Sequence, residues 1–144
     1  MEWSYEIAIE VSEHWRGLGI ARRLLAFALE LETVEDLILC ALGLSWHWDI
    51  EGLHTTHHRY REMLVHLFTS QGFTEFATTE LDITMDPVNV LLVRIGKWVD
   101  TRDVETFRQV VQRPLPCRCN VFSGEGTRCA MSVSRSHHWR RQEP

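Results

Sequence analysis

The sequence lacks several features that would place a chain of 144 residues in a common class. No apolar run reaches the roughly 18 residues of a membrane span. Met1-Glu2-Trp3-Ser4 supplies neither the basic nor the apolar region of a secretory signal, so we expect a cytoplasmic protein. In that compartment we expect reduced thiols rather than disulfides for the four cysteines, Cys40, Cys117, Cys119 and Cys129.

Basic charge is scarce over most of the chain. Residues 1–113 contain ten lysines and arginines against eighteen acidic residues, a balance of −8. Residues 114–144 contain five against two, a balance of +3. An acidic body is a poor match for nucleic acid, because that binding depends on neutralising phosphates with basic side chains. We therefore expect neither nucleic acid nor a membrane among the partners.

Hydrophobic periodicity predicts one α/β domain with a mixed sheet (α+β). The predicted elements are a strand over 3–11, a helix over 18–32, a strand over 37–42, a loop or short strand extension over 46–52, a helix around 60–68, strands over 73–77 and 88–95, and a helix over 101–112. The periodicity is lost from residue 114. We therefore predict a domain over residues 1–113 and a disordered tail over residues 114–144.

The most informative feature is the turn between the first strand and the first helix, Arg16-Gly17-Leu18-Gly19-Ile20-Ala21. A helix N-terminus exposes about four unpaired backbone N–H groups and about half a positive charge, which suits a pyrophosphate. Gly17 and Gly19 remove side chains that would keep phosphate oxygens from those amides, and Ala21 is small for the same reason. The alternative is a plain glycine-rich turn from strand to helix.

Two common phosphate-binding motifs do not fit this turn. A Rossmann fingerprint requires a third glycine at position 22, which is Arg22. A Walker loop requires Gly-Lys-Ser or Gly-Lys-Thr, which the sequence does not contain. The pattern that remains is R/Q-x-x-G-x-G/A, met by Arg16, Gly19 and Ala21.

The run Val-x-x-x-x-Arg-Gly-x-Gly-Ile-Ala, followed by Leu-Leu, resembles the acetyl-CoA signature of the GNAT N-acetyltransferase superfamily. Gly72-Phe73, after an amphipathic helix, resembles the Gly-Phe that opens the sixth strand of that fold. The resemblance implies a GNAT-like acyl-CoA N-acyltransferase fold with acetyl-CoA as co-substrate and no metal. It implies that a backbone N–H near Val11 polarises the acetyl carbonyl, and that the pantetheine arm enters a splay between residues 9–11 and 37–41. The implied cofactor-binding residues are Val11, Arg16, Gly17, Leu18, Gly19, Ile20 and Ala21.

A narrower resemblance covers residues 6–97. These residues are similar to the acetoin-utilisation acetyltransferase family (AcuA-like) in the runs Trp46-His47-Trp48-Asp49, Tyr60-Arg61, Phe76-Ala77-Thr78, Asp86-Pro87-Val88-Asn89 and Arg94-Ile95-Gly96-Lys97. That family is associated with acetylating a lysine of acetyl-CoA synthetase, which switches the synthetase off. The resemblance therefore implies a protein lysine as acceptor and acetyl-CoA synthetase as the protein substrate.

The sequence departs from the GNAT pattern in two places. GNAT domains carry three strands and two helices before the strand that begins here at Trp3, so we expect an N-terminally truncated fold, from a fragment or a misassigned start codon. Many GNAT enzymes also place a tyrosine four residues before the Gly of Gly-Phe, where it can protonate the leaving thiolate. That position is Phe68, so the acid must be another residue.

Four residues are candidates for proton transfer in an amine acetylation. Glu10 on the first strand is one candidate base, and His47, oriented by Asp49, is another, because an imidazole titrates near neutral pH. Tyr60 is a candidate acid. Structural alternatives exist for each: an outward-facing strand carboxylate for Glu10, and core packing on its helix for Tyr60. His47 and Asp49 could instead belong to a hydrogen-bonded loop between two packed tryptophans.

Two groups contain metal-binding residue types without suitable spacing. His54 and His58 form an i, i+4 pair without a third ligand. No C-x₂-C framework is present in the second group, so we predict no metal at Cys117, Cys119, Cys129, His137 and His138. Besides the enzyme, two hypotheses stay open. One is a catalytically inactive module that binds CoA, and the other is a fragment whose open sheet edge pairs with another chain, as in a homodimer.

Overall fold

Strands and helices alternate along residues 4–113, the part of the chain that the computed structural model describes. The strands are β1 (Ser4–Glu6), β2 (Ile38–Gly43), β3 (Thr74–Glu75) and β4 (Val90–Ile95). The α-helices are α1 (Ile20–Leu29), α2 (His57–Thr69), α3 (Leu81–Thr84) and α4 (Thr101–Val111). Short 3₁₀ helices at Glu13–Trp15, Glu32–Asp36 and Ser45–His47 lie in the connections.

The four strands form one mixed sheet in the order β1-β2-β4-β3. β1 runs parallel to β2, whereas β4 is antiparallel to both β2 and β3. The central pair, β2 and β4, is in register from Ile38 opposite Ile95 to Gly43 opposite Val90. Both strands have nearly continuous apolar sequences, as expected of strands covered on two faces. The mixed sheet confirms the predicted fold class.

Helices cover both faces of the sheet, because successive side chains of a strand point to opposite sides. On one face, Leu25 of α1 and Phe68 of α2 belong to the same core as Leu39 and Leu92. On the other face, Phe107 of α4 packs in a core with residues of β2 and β4. Each fully buried side chain of this size contributes about 1.5–3 kcal/mol. The two cores therefore hold helices against both faces of the sheet.

Three predicted elements are shorter in the structure than expected. The strand predicted over 3–11 is β1, which is followed by a hydrogen bond from the Ile7 N–H to the Cys40 carbonyl (2.8 Å). The helix predicted over 18–32 is shortened to α1, Ile20–Leu29. It begins only after Gly19, which has a left-handed φ of 71°, and a separate 3₁₀ helix follows its end. The strand predicted over 73–77 is only β3, and the short helix α3 was not predicted.

Some predictions lie outside the described residues, namely the disordered tail over 114–144 with Cys117, Cys119, Cys129, His137 and His138. Within residues 4–113, no helix combines the length and the apolar character needed to cross a membrane.

Candidate functional site

The turn before α1 has a backbone that suits an anion. Gly17 and Gly19 have φ angles of 77° and 71°, in the left-handed region that favours glycine. Gly19 caps α1, and no side chain caps this N-terminus. The first turn of α1 carries no acidic residue and contains Arg22 and Arg23. A Cβ atom added at either glycine would meet nothing within 4 Å, so the turn is open on its outer side.

The parallel strands separate next to this turn. The last hydrogen bond between them joins Ile7 to Cys40, and β2 then continues to Gly43 paired with β4 alone. Residues 8–11 therefore leave the sheet while their neighbour strand does not. The family resemblance implies a splay between residues 9–11 and 37–41, but residues 38–40 are still paired with β1, so the divergence in the structure begins beyond Cys40. It lies one short 3₁₀ helix before the turn, at Glu13–Trp15.

The Arg16 side chain connects the turn to the loop after β2. Its Nε donates to the Val11 carbonyl (3.0 Å), and its guanidinium forms an ion pair with Asp49 (2.5 Å). Asp49 also accepts a hydrogen bond from the Gly52 N–H (2.9 Å). The bond from Arg16, and then that from Gly52, lower the pKa of Asp49. The bond to Asp49 is also the main reason that the pKa of Arg16 is raised.

This geometry changes the interpretation of two candidates. The predicted pairing of Asp49 with His47 is not formed among residues 4–113, and the Asp49 carboxylate instead accepts from Arg16 and Gly52. His47 is exposed on the same loop, with its ring 6.0 Å from that of Trp46. Asp49 is thus a paired, ionised carboxylate rather than an orienting partner for a histidine base.

Tyr60 lies beside these charges. Its ring stacks on Trp48, with centroids 4.9 Å apart and planes at 12°. Burial is the main cause that raises the pKa of Tyr60, and Arg16 partly opposes it, whereas Asp49 and Glu10 add to it. Arg16, Asp49 and Glu10 therefore all act on the Tyr60 phenol through their charges. The phenol remains protonated at neutral pH.

A polar network that the sequence did not reveal anchors the start of the same loop. The Ser45 N–H donates to the Asn89 side-chain oxygen (2.7 Å), and the Ser45 hydroxyl donates to Asp86 (2.8 Å). Asn89 in turn donates to the Asp82 carbonyl (2.6 Å). The Val88 N–H, and then Ser45, lower the pKa of Asp86. The Asp-Pro-Val-Asn run was the available signal, but its partner Ser45 lies more than 40 residues away.

Comparison with known proteins decides the family. The chain is 34% identical over 100 residues to the acetoin utilization protein AcuA of Bacillus subtilis (strain 168), covering 69% of this chain and 48% of that protein. The AcuA protein of Bacillus licheniformis matches with the same identity and coverage. A crystal structure of the acetoin utilization protein from Exiguobacterium sibiricum matches with a TM-score of 0.75 and 29% identity, over 77% of this chain and 53% of that one. The chain belongs with the AcuA proteins.

This relationship confirms the predicted AcuA-like resemblance and the GNAT-like fold. No protein-family model matches the sequence. The chain spans about half the length of the AcuA proteins that it matches.

Phe68 stands where many GNAT enzymes have the tyrosine acid, and it lies in the core of this AcuA-related chain. It is 3% exposed and contacts Phe73 edge to face, with centroids 5.0 Å apart. Tyr60 lies eight residues earlier on the same helix, roughly 12 Å away at a rise of 1.5 Å per residue. Tyr60 therefore does not occupy the position of the GNAT tyrosine.

Other reactive groups of the described chain do not add to this site. Burial raises the pKa of Cys40 to about 11, so its thiol is protonated and a poor nucleophile. Residues 4–113 contain no group of three histidine, cysteine or acidic side chains that could hold a metal ion. His54 has a φ of 47°, and His58 lies in the first turn of α2.

Proposed function

We propose that this chain is the CoA-binding part of an acetyl-CoA-dependent N-acetyltransferase of the GNAT type. The observation that carries the proposal is the open turn before α1, where left-handed Gly17 and Gly19 precede an uncapped helix N-terminus. Backbone amides of residues 17–21 would bind the diphosphate of acetyl-CoA. A Cβ atom at either glycine would project into the space that the phosphate oxygens need.

The reaction that fits this arrangement is direct attack of an amine on the thioester. The amine nitrogen forms a bond to the acetyl carbon, the C–S bond breaks, and the thiolate of CoA takes up a proton. A backbone N–H near Val11 would stabilise the developing oxyanion. Arg16 holds the Val11 peptide through its carbonyl, which fixes the direction of this part of the chain. Orienting the two reactants is worth about 7–11 kcal/mol of the barrier.

Two groups near the splay suit the proton transfers. Glu10 is exposed and can accept a proton from the attacking ammonium, and His47, exposed on the loop, is the other candidate base. Tyr60 is the candidate acid, because its burial keeps the phenol protonated. Asp49, held by Arg16, acts on these groups through its charge alone. Proton transfer of this kind contributes about 10²–10⁴-fold in rate.

The acceptor that the AcuA relationship suggests is a protein lysine, with acetyl-CoA synthetase as the protein substrate and the cytoplasm as the compartment. The charge of residues 1–113, a balance of −8, favours the approach of a cationic ammonium group. An acidic surface also suits a lysine that lies in a basic stretch of the partner.

Calorimetric titration of the 144-residue chain with acetyl-CoA, and an assay of acetyl transfer to acetyl-CoA synthetase, test the proposal. Gly19→Glu should abolish binding, because it places a carboxylate where the diphosphate would lie. Gly72→Glu is the matched control, since Gly72 is also exposed, with a left-handed φ of 84°. It should cost similar backbone strain and leave binding intact. Equal binding by the Gly19→Glu variant and the native chain would refute the assignment.

The inactive CoA-binding module and the fragment that pairs through its sheet edge predict different results. A catalytically inactive module would bind CoA and transfer no acetyl group to any lysine. A fragment that pairs through its sheet edge is favoured by exposed apolar side chains of α1, where Leu24 is 50% and Phe27 71% exposed beside the edge strand β1. Sedimentation would then show a dimer that a charged substitution at Phe27 dissociates.

A further inference from the structure

The Arg16 side chain binds protein atoms and does not point to an open phosphate site. The family pattern includes an arginine at this position, which suggests a role at the diphosphate. In the structure its guanidinium is instead taken up by two protein oxygens, those of Val11 and Asp49. Only 25% of the Arg16 side chain is exposed.

The loop after β2 is shaped to present Asp49 to this arginine. The Gly52 N–H donates to one carboxylate oxygen, and Arg16 binds the other. A Cβ atom at Gly52 would overlap with the Asp49 carboxylate, although the backbone of Gly52 is not in the left-handed region. Glycine is therefore required at position 52 by the carboxylate and not by the turn itself.

The same loop carries the surface next to the reactive groups. Ser45, at its start, is fixed to Asp86 and Asn89, and farther along Asp49 and local backbone turns hold the loop. Between these anchors lies Trp48, which stacks on Tyr60. Releasing Asp49 would loosen Trp48 and with it the environment of the Tyr60 phenol.

We propose that Arg16 is a positioning residue, and that its ion pair with Asp49 latches the loop of residues 45–53 to the phosphate-binding turn. The latch sets the position of Trp48 against Tyr60, and backbone amides rather than the Arg16 guanidinium bind the diphosphate. This inference rests on the proposed function for its second part, and the first part can be tested without any ligand.

Amide hydrogen exchange of the ligand-free chain tests the latch. Arg16→Ala, Asp49→Ala and Gly52→Ala should each speed exchange of the amides of residues 46–53 by about 1.5- to 5-fold, the range for loss of one exposed ion pair. For amides other than that of Gly52, which Asp49→Ala also releases directly, the double variant Arg16→Ala/Asp49→Ala should exchange no faster than the faster single variant, because the same ion pair is lost in all three. Unchanged exchange in Arg16→Ala, or additive effects in the double variant, would overturn the latch.

The ion pair between Arg61 and Glu75 supplies a matched control. Its length is 2.6 Å, against 2.5 Å for the pair of Arg16 and Asp49. The arginine side chains are 28% and 25% exposed, and both carboxylate side chains are 46% exposed. The control pair joins α2 to β3, the strand at the opposite edge of the sheet from β1. Arg61→Ala should leave exchange of residues 46–53 unchanged. If it speeds that exchange as much as Arg16→Ala does, the effect is general loosening and the latch is refuted.

Titration with CoA separates positioning from phosphate binding. A positioning role predicts that Asp49→Ala changes the affinity for CoA in the same direction as Arg16→Ala, since both release the same loop, although Arg16→Ala also frees the Val11 carbonyl. A direct phosphate ligand predicts that Arg16→Ala alone weakens binding, by 10-fold or more for a charged hydrogen bond. That result would overturn the positioning role. Absence of CoA binding to the native chain would refute the proposed function, and hydrogen exchange would still decide the latch.

Discussion

Removing the Tyr60 hydroxyl tests whether Tyr60 acts as a proton donor or only as a packing residue. Tyr60→Phe deletes one oxygen and keeps the ring that stacks on Trp48 at 4.9 Å. Within residues 4–113 the hydroxyl makes no hydrogen bond, so its deletion breaks none. We therefore expect the free energy of unfolding to change by no more than about 0.5 kcal/mol.

The expected effect on the reaction is far larger. A general acid contributes about 10²–10⁴-fold, which corresponds to roughly 3–5 kcal/mol of transition-state stabilisation. The phenol is not part of the proposed diphosphate site at Gly17 and Gly19, so the KM for acetyl-CoA should stay the same. Burial raises the pKa of Tyr60 above the usual value of a tyrosine, so the phenol should stay protonated and the activity that depends on it should not fall between neutral and mildly alkaline pH.

Release of the CoA thiol, measured with a lysine acceptor at saturating acetyl-CoA, gives the rate, and urea unfolding gives the stability. Tyr5→Phe is the control, because Tyr5 is the other tyrosine of the chain and is 52% exposed on β1. If Tyr60→Phe keeps its kcat within about threefold of the native value, Tyr60 is a packing residue and the reasoning fails.

Three further predictions concern the described fold. Phe68→Tyr should lower the free energy of unfolding by about 1–3 kcal/mol, because the new hydroxyl would be buried in the core without a hydrogen-bond partner. It should not raise the rate of acetyl transfer, and a faster rate would contradict this prediction. Leu92→Ala, at a fully buried position of β4, should cost about 2–5 kcal/mol in urea unfolding, and a loss below 1 kcal/mol would show that the core can collapse around it. Hydrogen bonds from the Lys97 N–H and from Arg94 lower the pKa of Glu35 in the folded chain below its usual value of 4.5. The stability that Glu35 contributes should therefore be present above pH 4.5 and be lost as the pH falls through the pKa of the folded state. Glu35→Gln should flatten that acid dependence of the urea midpoint, and an unchanged dependence would assign it to other carboxylates.

Elements with a complete hydrophobic pattern were predictable from the sequence. β2 and β4 are apolar runs bounded by breakers, and α2 and α4 each present an apolar stripe that meets the sheet. The left-handed conformations of Gly17 and Gly19 were also predictable in kind, because glycine adopts that conformation at little cost and the sequence places both beside a helix start. Local chemistry determines these features, so local reasoning finds them.

Residues 7–11 show why the first strand was predicted too long. Ile7, Ile9 and Val11 keep the alternation of a strand, and the core beneath α1 buries part of Ile7 and Ile9. Alternation reports which side chains are buried and not whether a neighbouring backbone is present to pair with. The sheet ladder ends where β2 and residues 8–11 diverge, and that divergence is a property of two segments more than 30 residues apart.

The role of Arg16 shows the same limit at the level of a single side chain. The spacing of Arg16, Gly19 and Ala21 specifies a backbone turn, and the structure has that turn. A long side chain, however, pairs with whatever charge the tertiary fold brings near it, and here that is Asp49, 33 residues later. The turn motif alone cannot distinguish a guanidinium that binds phosphate from one that binds the next loop, because both leave the backbone pattern unchanged. Gly52 carries the missing information, since its absent Cβ makes room for the Asp49 carboxylate that binds Arg16.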